Sequence, residues 1–150
     1  MCFKNLFSKP AIVVDPAGRI TWLNLKKLTT QYDLENMLLD KHVPDAYHSY
    51  LSYDGWQSIL GDLILPANMA VEGDFDCDDY ARISSAKAVE LHKVRVYEVW
   101  GYVGTEYHAW CMVVASPTKI YYYEPNAGFT RAGELFNQGD YDTKPMYWKI

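Results

Sequence analysis

The sequence predicts an α+β domain in which one helix precedes an antiparallel meander. Three observations carry that expectation. Tyr80, Ala81, Ser84, Ala88 and Leu91 keep a three-and-four spacing, which predicts a helix from about Cys77 to about Leu91. Three β-rich runs follow: Val94 to Val103, His108 to Ala115 and Lys119 to Glu124. Ser116-Pro117-Thr118-Lys119 supplies a tight turn between the last two runs.

The earlier elements follow from local chemistry. Ala11 to Val14 and Arg19 to Leu23 flank Asp15-Pro16-Ala17-Gly18, a pattern that predicts a β-hairpin. Asp33 caps an expected short helix from Leu34 to about Lys41, which Pro44 ends. Tyr47, Tyr50, Tyr53 and Trp56 recur at threes, but Gly55 and Gly61 interrupt the spacing, so 45–65 reads as helix and turn. Pro66 to Asp74 reads as a loop. Met146 to Ile150 fits a short edge strand.

A chain of 150 residues is expected to form one domain over 1–150. At that size it buries about 70% of the surface its unfolded form exposes, enough for a core without staples. The net charge of −5 and the lack of a basic cluster argue against nucleic acid as a partner. Three cysteines are an odd number, which reads as reduced thiols. No apolar run reaches the length of a membrane span. The first ten residues do not make a signal peptide, so cytoplasmic residence is the expectation, with release by lysis or export left open. No cofactor is expected. Asp74, Asp76 and Asp78 imitate a calcium loop, but Asp79 stands where its glycine belongs and Ser85 where its bidentate glutamate belongs, so no metal is expected.

The candidate chemistry lies in Cys77, His108 and Glu124, each on its own element. Cys, then His, then an acid is the layout of a thiol nucleophile with its base and orienter. Cys77 opens the expected helix, whose unpaired N–H groups favour a thiolate and could receive an oxyanion. Asp74, Asp76, Asp78 and Asp79 oppose that effect by like charge. Alternation puts His108, Trp110 and Met112 on one strand face and Ala109, Cys111 and Val113 on the other, so Cys111 reads as core. Closing the 115–118 turn symmetrically sets His108 opposite about residue 125, next to Glu124. By residue type alone, Gln57 is the oxyanion candidate.

Cys77-Asp78-Asp79-Tyr80-Ala81, then His108-Ala109-Trp110, then Glu124-Pro125 resemble the transglutaminase-like superfamily of papain-fold thiol enzymes. The resemblance covers about 73–126 and includes the branch of bacterial and phage cysteine peptidases. Two departures stand out: Glu124 replaces the usual aspartate, and Gly73 lies four residues before Cys77 rather than two. The resemblance implies a nucleophile helix packed on an antiparallel sheet. It further implies a thiol hydrolase, a cysteine peptidase or amidase, acting through an acyl-enzyme on a peptide, protein or peptidoglycan. The alternatives are an acyltransferase with an amine acceptor and a catalytically inactive binding module on the same fold.

Overall fold

The computed structural model describes residues 14–32, 47–137, 141 and 147–149. Chain order is β1 (Gly18–Thr21), α1 (Trp22–Gln31), β2 (Tyr47–Tyr50), α2 (Tyr53–Leu63), α3 (Cys77–His92), β3 (Tyr97–Val103), β4 (Glu106–Ser116), β5 (Lys119–Tyr123) and β6 (Tyr147–Lys149). The strands form two sheets: a β1–β2 pair, and a four-stranded antiparallel sheet in the order β5-β4-β3-β6.

The central strand β4 alternates between two cores. Ala109, Cys111, Val113 and Ala115 face Trp56, Ile59, Leu60 and Leu63 of α2 and Ala81 and Ala88 of α3. Trp110, Met112 and Val114 face Ile20 of β1 and Leu25 and Leu28 of α1. The sheet is therefore covered on both faces, which explains why β4 is apolar almost throughout. The small stripe of α3 brings it close to the sheet. Ser84 lies in that stripe, and its hydroxyl meets Leu63 O at 2.8 Å and Tyr123 Oη at 2.6 Å.

Several expectations are corrected here. Arg19–Thr21 pairs with β2, with Arg19 opposite Ser49. That long-range partner lets Ile20 enter the core with Leu25 and Leu28, which a local hairpin turn does not require. The second half of the expected hairpin is cut short because Thr21 caps α1, accepting from the Asn24 amide at 3.2 Å. Residues 11–13 and the expected 34–41 helix lie outside the described residues. Residues 47–50, read as helix and turn, form strand β2, and Ser52 then caps α2 through the Gly55 amide at 3.1 Å. His48 ties the small sheet to the large one, with its Nδ1 2.6 Å from Tyr97 Oη.

The expected architecture, a nucleophile helix on one antiparallel sheet in the papain or transglutaminase manner, is also corrected. Among the described residues, three α-helices and two separate sheets make a mixed fold, and α1 with β1 covers the face opposite α3.

The acids around Cys77 have a structural task. Asp76 accepts from the Asp78 amide at 3.3 Å, and Asp79 reaches back to the Asp76 amide at 3.4 Å, forming a capping box. Arg82 then binds Asp78 at 2.8 Å and Asp79 at 2.9 Å. Asp76→Ala is expected to cost about 1 kcal/mol, the usual value of a lost N-cap. Urea unfolding at pH 7 measures it, and an unchanged midpoint would show that the cap is redundant.

Candidate functional site

The site sits where α3 starts and the β4–β5 hairpin opens. Gly73 has φ +79°, a conformation that favours glycine, and it closes a tight turn in which Val71 and Phe75 exchange backbone hydrogen bonds of 3.0 and 2.8 Å. That turn delivers the chain to the Asp76 cap and places Cys77 as the first helical residue. The turn is anchored from below by Tyr80, whose hydroxyl donates to Pro66 O at 2.8 Å or Ala67 O at 2.9 Å. On the other bank, the Leu65 amide donates to Pro125 O at 2.7 Å, and the Ala127 amide to Leu65 O at 2.9 Å.

The structure brings Cys77, His108 and Glu124 together. His108 Nε2 donates to Glu124 Oε2 at 2.7 Å, and Cys77 is close enough to the ring to act on its charge. The β4–β5 register sets Cys111 opposite Tyr123, which when extended places His108 opposite Asn126. Glu124 therefore reaches the ring along the diagonal of the ladder, a step from the expected position. Glu124 is fully buried, and its carboxylate accepts two further bonds: from Tyr141 Oη at 2.8 Å and from the Asn126 amide at 3.0 Å. Burial of His108 disfavours its charge, but hydrogen bonds to Cys77 and Glu124 and the charges of both outweigh this and push its pKa up to about 9. Burial, with Glu124 beside it, raises the Tyr141 phenol, which stays a donor at neutral pH.

Two residues that sequence reasoning missed shape the site. Tyr141 holds the far side of Glu124. Phe129 stacks on the His108 ring, with centroids 4.6 Å apart and planes 25° from parallel. Both lie in a tail without helical or strand periodicity, so no local signal marked them. Gln57 is exposed on α2, with its amide 3.4 Å from Tyr53 Oη, and does not line the cleft beside Cys77. Cys111 is core, as its strand position implied, and burial holds its thiol far above the usual range. Asp76, Asp78 and Asp79 have carboxylate oxygens within 4.8 Å of one another, a spacing a cation could use, but the cap and Arg82 already engage them.

A cleft of about 380 Å³ opens beside Cys77. Phe75, Phe129 and Val71 supply its apolar wall, and Glu72, Asp76 and Asn126 its acceptors. Phe129 is 38% exposed, so one ring both covers His108 and faces solvent. Among the described residues, no helix is long and apolar enough to cross a membrane.

Neither a family model nor a curated protein matches this sequence. Solved structures do. The crystal structure of a Polyporus squamosus lectin bound to the human-type influenza-binding epitope Neu5Aca2-6Galb1-4GlcNAc matches with a TM-score of 0.64 at 17% identity, over 88% of this chain and 49% of that one. The structure of a PSL1a–E64 complex matches with a TM-score of 0.62 at 18% identity, over 88% of this chain and 51% of that one. The chain thus spans about half the length of the structures whose fold it shares.

This likeness corrects the reading taken from the motifs. The fold is shared with part of a lectin structure, in place of the expected papain or transglutaminase-like architecture. Neither structure is named for a peptidase or a transglutaminase, so the thiol-hydrolase and acyltransferase readings, and the enzyme assignment with them, are not carried forward, and at 17% and 18% identity the likeness speaks to the fold alone. Three motifs in the right order selected a side-chain constellation, and a constellation of side chains does not by itself fix fold or activity.

Proposed function

We propose that this chain is a carbohydrate-binding domain whose ligand sits in the cleft beside Cys77, with the His108–Glu124 pair buried next to that cleft. The ligand class is a saccharide, in place of the peptide, protein or peptidoglycan expected from the motifs. The observation that carries the reading is the cleft itself: an exposed Phe129 ring next to Glu72, Asp76 and Asn126. A sugar has an apolar C–H face and a rim of hydroxyls. The negative face of an aromatic ring suits the first, and carboxylate and amide oxygens accept from the second. Binding pockets in general combine an apolar lining with a few placed polar groups. The fold likeness to a lectin solved with a bound sugar supports the same class.

His108 lies outside the cleft lining and keeps its partners within the protein. With its pKa at about 9 it is an imidazolium at neutral pH, held by Glu124. Titration of the isotopically labelled chain with neutral oligosaccharides tests the reading. Amide shifts are expected at Asn126, Phe129 and Asp76, and Phe129→Ala is expected to weaken binding about tenfold, the equivalent of one stacking contact. If a panel of neutral and acidic glycans leaves these amides unmoved, the chain is not a carbohydrate binder at this cleft.

A further inference from the structure

The cleft beside Cys77 has two walls of different make. The turn closed by the Val71–Phe75 hydrogen bonds supplies one, with Ala70, Val71 and Phe75 as apolar groups and Glu72 as a carboxylate among them. Val71 is 53% exposed, so apolar surface is left uncovered on this wall. The opposite bank supplies Asn126 and the Phe129 ring.

Asn126 presents one defined end. Its Oδ1 accepts from the Gly128 amide at 2.8 Å. A backbone N–H faces only an acceptor, so this bond settles which side-chain atom is the oxygen. The Nδ2 group, with its two N–H donors, is the end left over, and it has no partner among the described residues. A Cβ at Gly128 would stand 3.2 Å from Asn126 Oδ1 and 3.1 Å from the Ala67 Cβ, so a larger residue there would press on the oriented amide. Glu72 is the matching acceptor. It is exposed and takes no part in the Asp76–Asp79 capping box.

Besides the face of Phe129, the cleft therefore offers bare apolar surface, a donor and an acceptor. An acetamido group carries the complement of all three: a methyl, a carbonyl oxygen and an N–H. A hydroxyl lacks the methyl, and an ammonium group lacks both the methyl and the acceptor. An acidic substituent is disfavoured, because Glu72 and Asp76 line the cleft and no Lys, Arg or His stands among its described lining residues.

We propose that the cleft selects a 2-acetamido sugar, with the sugar ring on Phe129, the acetyl methyl against Val71 and Phe75, the carbonyl on Asn126 Nδ2 and the N–H toward Glu72. The inference rests on the carbohydrate reading and names the class of sugar unit it takes.

The methyl β-glycosides of N-acetylglucosamine, glucosamine and glucose are the probes, used on the full chain. The acetamido sugar is expected to bind at least about tenfold more tightly than the other two, the combined effect of one buried methyl and one hydrogen bond. Saturation-transfer NMR is expected to give the acetyl methyl the strongest signal of that ligand. Val71→Ser, at an exposed position, removes apolar wall. Asn126→Asp keeps an oxygen for Gly128 and deletes the donor. Each is expected to lower the preference for the acetamido sugar. Glucosamine binding as tightly as N-acetylglucosamine overturns the proposal, as does a preference that both substitutions leave intact. If the glucose glycoside moves the Asn126 and Phe129 amides at the same concentration as the acetamido sugar does, the selectivity falls and the carbohydrate reading stands. If none of the sugars moves them, both fall.

Discussion

Replacing Glu124 with alanine is expected to destabilise the protein by about 3–5 kcal/mol at pH 7, the cost of stripping one partner from a buried charged pair. The reason is how much the carboxylate holds. It is fully buried and accepts from His108, from Tyr141 and from the Asn126 amide. Without it, the His108 ring keeps its burial but loses its counter-charge, and the Tyr141 hydroxyl loses its acceptor. Glu124→Gln removes the charge at nearly constant shape, and its single amide oxygen can replace either the Oε1 that accepts from Asn126 or the Oε2 that accepts from His108 and Tyr141, not both. The His108 pKa is then expected to fall below about 9, with Cys77 still opposing the effect of burial.

The pH dependence has a definite sign. His108 is raised in the folded state, so the stability it contributes is fully present below about 6.5 and is lost as pH climbs through about 9. The wild-type chain is therefore expected to lose stability between pH 7 and pH 9.5, by up to about 3 kcal/mol if the whole shift is expressed. Glu124→Gln should flatten that decline. Urea unfolding at pH 6, 7.5 and 9.5, together with a histidine NMR titration, reads both effects. A His108 midpoint unchanged by Glu124→Gln would show that the carboxylate does not govern the ring.

Trp56→Ala is the second large effect, expected at about 3–5 kcal/mol, as for other fully buried tryptophans. Trp56 on α2 has no exposed surface and packs among Ile59, Leu60, Ala81 and Val113. Its indole also donates to Val114 O at 2.7 Å, across 58 residues of chain. That carbonyl stands beside the register shift between Val114 and Ser116, so the bond pins α2 to the irregular end of β4. Trp56→Phe keeps most of the apolar volume and removes the donor. It is expected to cost about 1–3 kcal/mol, the penalty of leaving a buried carbonyl short of a partner. Denaturant unfolding of the two variants separates packing from hydrogen bonding. If Phe costs as much as Ala, the hydrogen bond, and not the volume, dominates at this position.

Parts of the site were legible in the sequence, and the reason is local in each case. The α3 stripe of Ala81, Ser84 and Ala88 predicted a helix that lies close against the sheet, because helical spacing is a short-range property. The turn at Ser116–Lys119 fixed the β4–β5 register to within a residue, and so brought Glu124 within reach of His108. The acidic run before the helix was harder to interpret. It reads as like charge around a thiol, yet Asp76 and Asp79 spend that charge on capping the helix. The strand at 47–50 was hidden because aromatics at threes mimic a helix, and pairing with β1 overrode that spacing.

By itself the sequence determined α3, the run from β3 to β5 and the meeting of Cys77, His108 and Glu124, since caps, periodicity and a short turn act over a few residues. Only the tertiary structure decided that β1 would pair with β2, that Tyr141 would close the far side of Glu124, and that Phe129 would lie over His108 at the wall of the cleft. Those contacts come from burying apolar surface between distant segments. That force has no preferred direction along the chain, and so leaves no local mark in the residues that obey it.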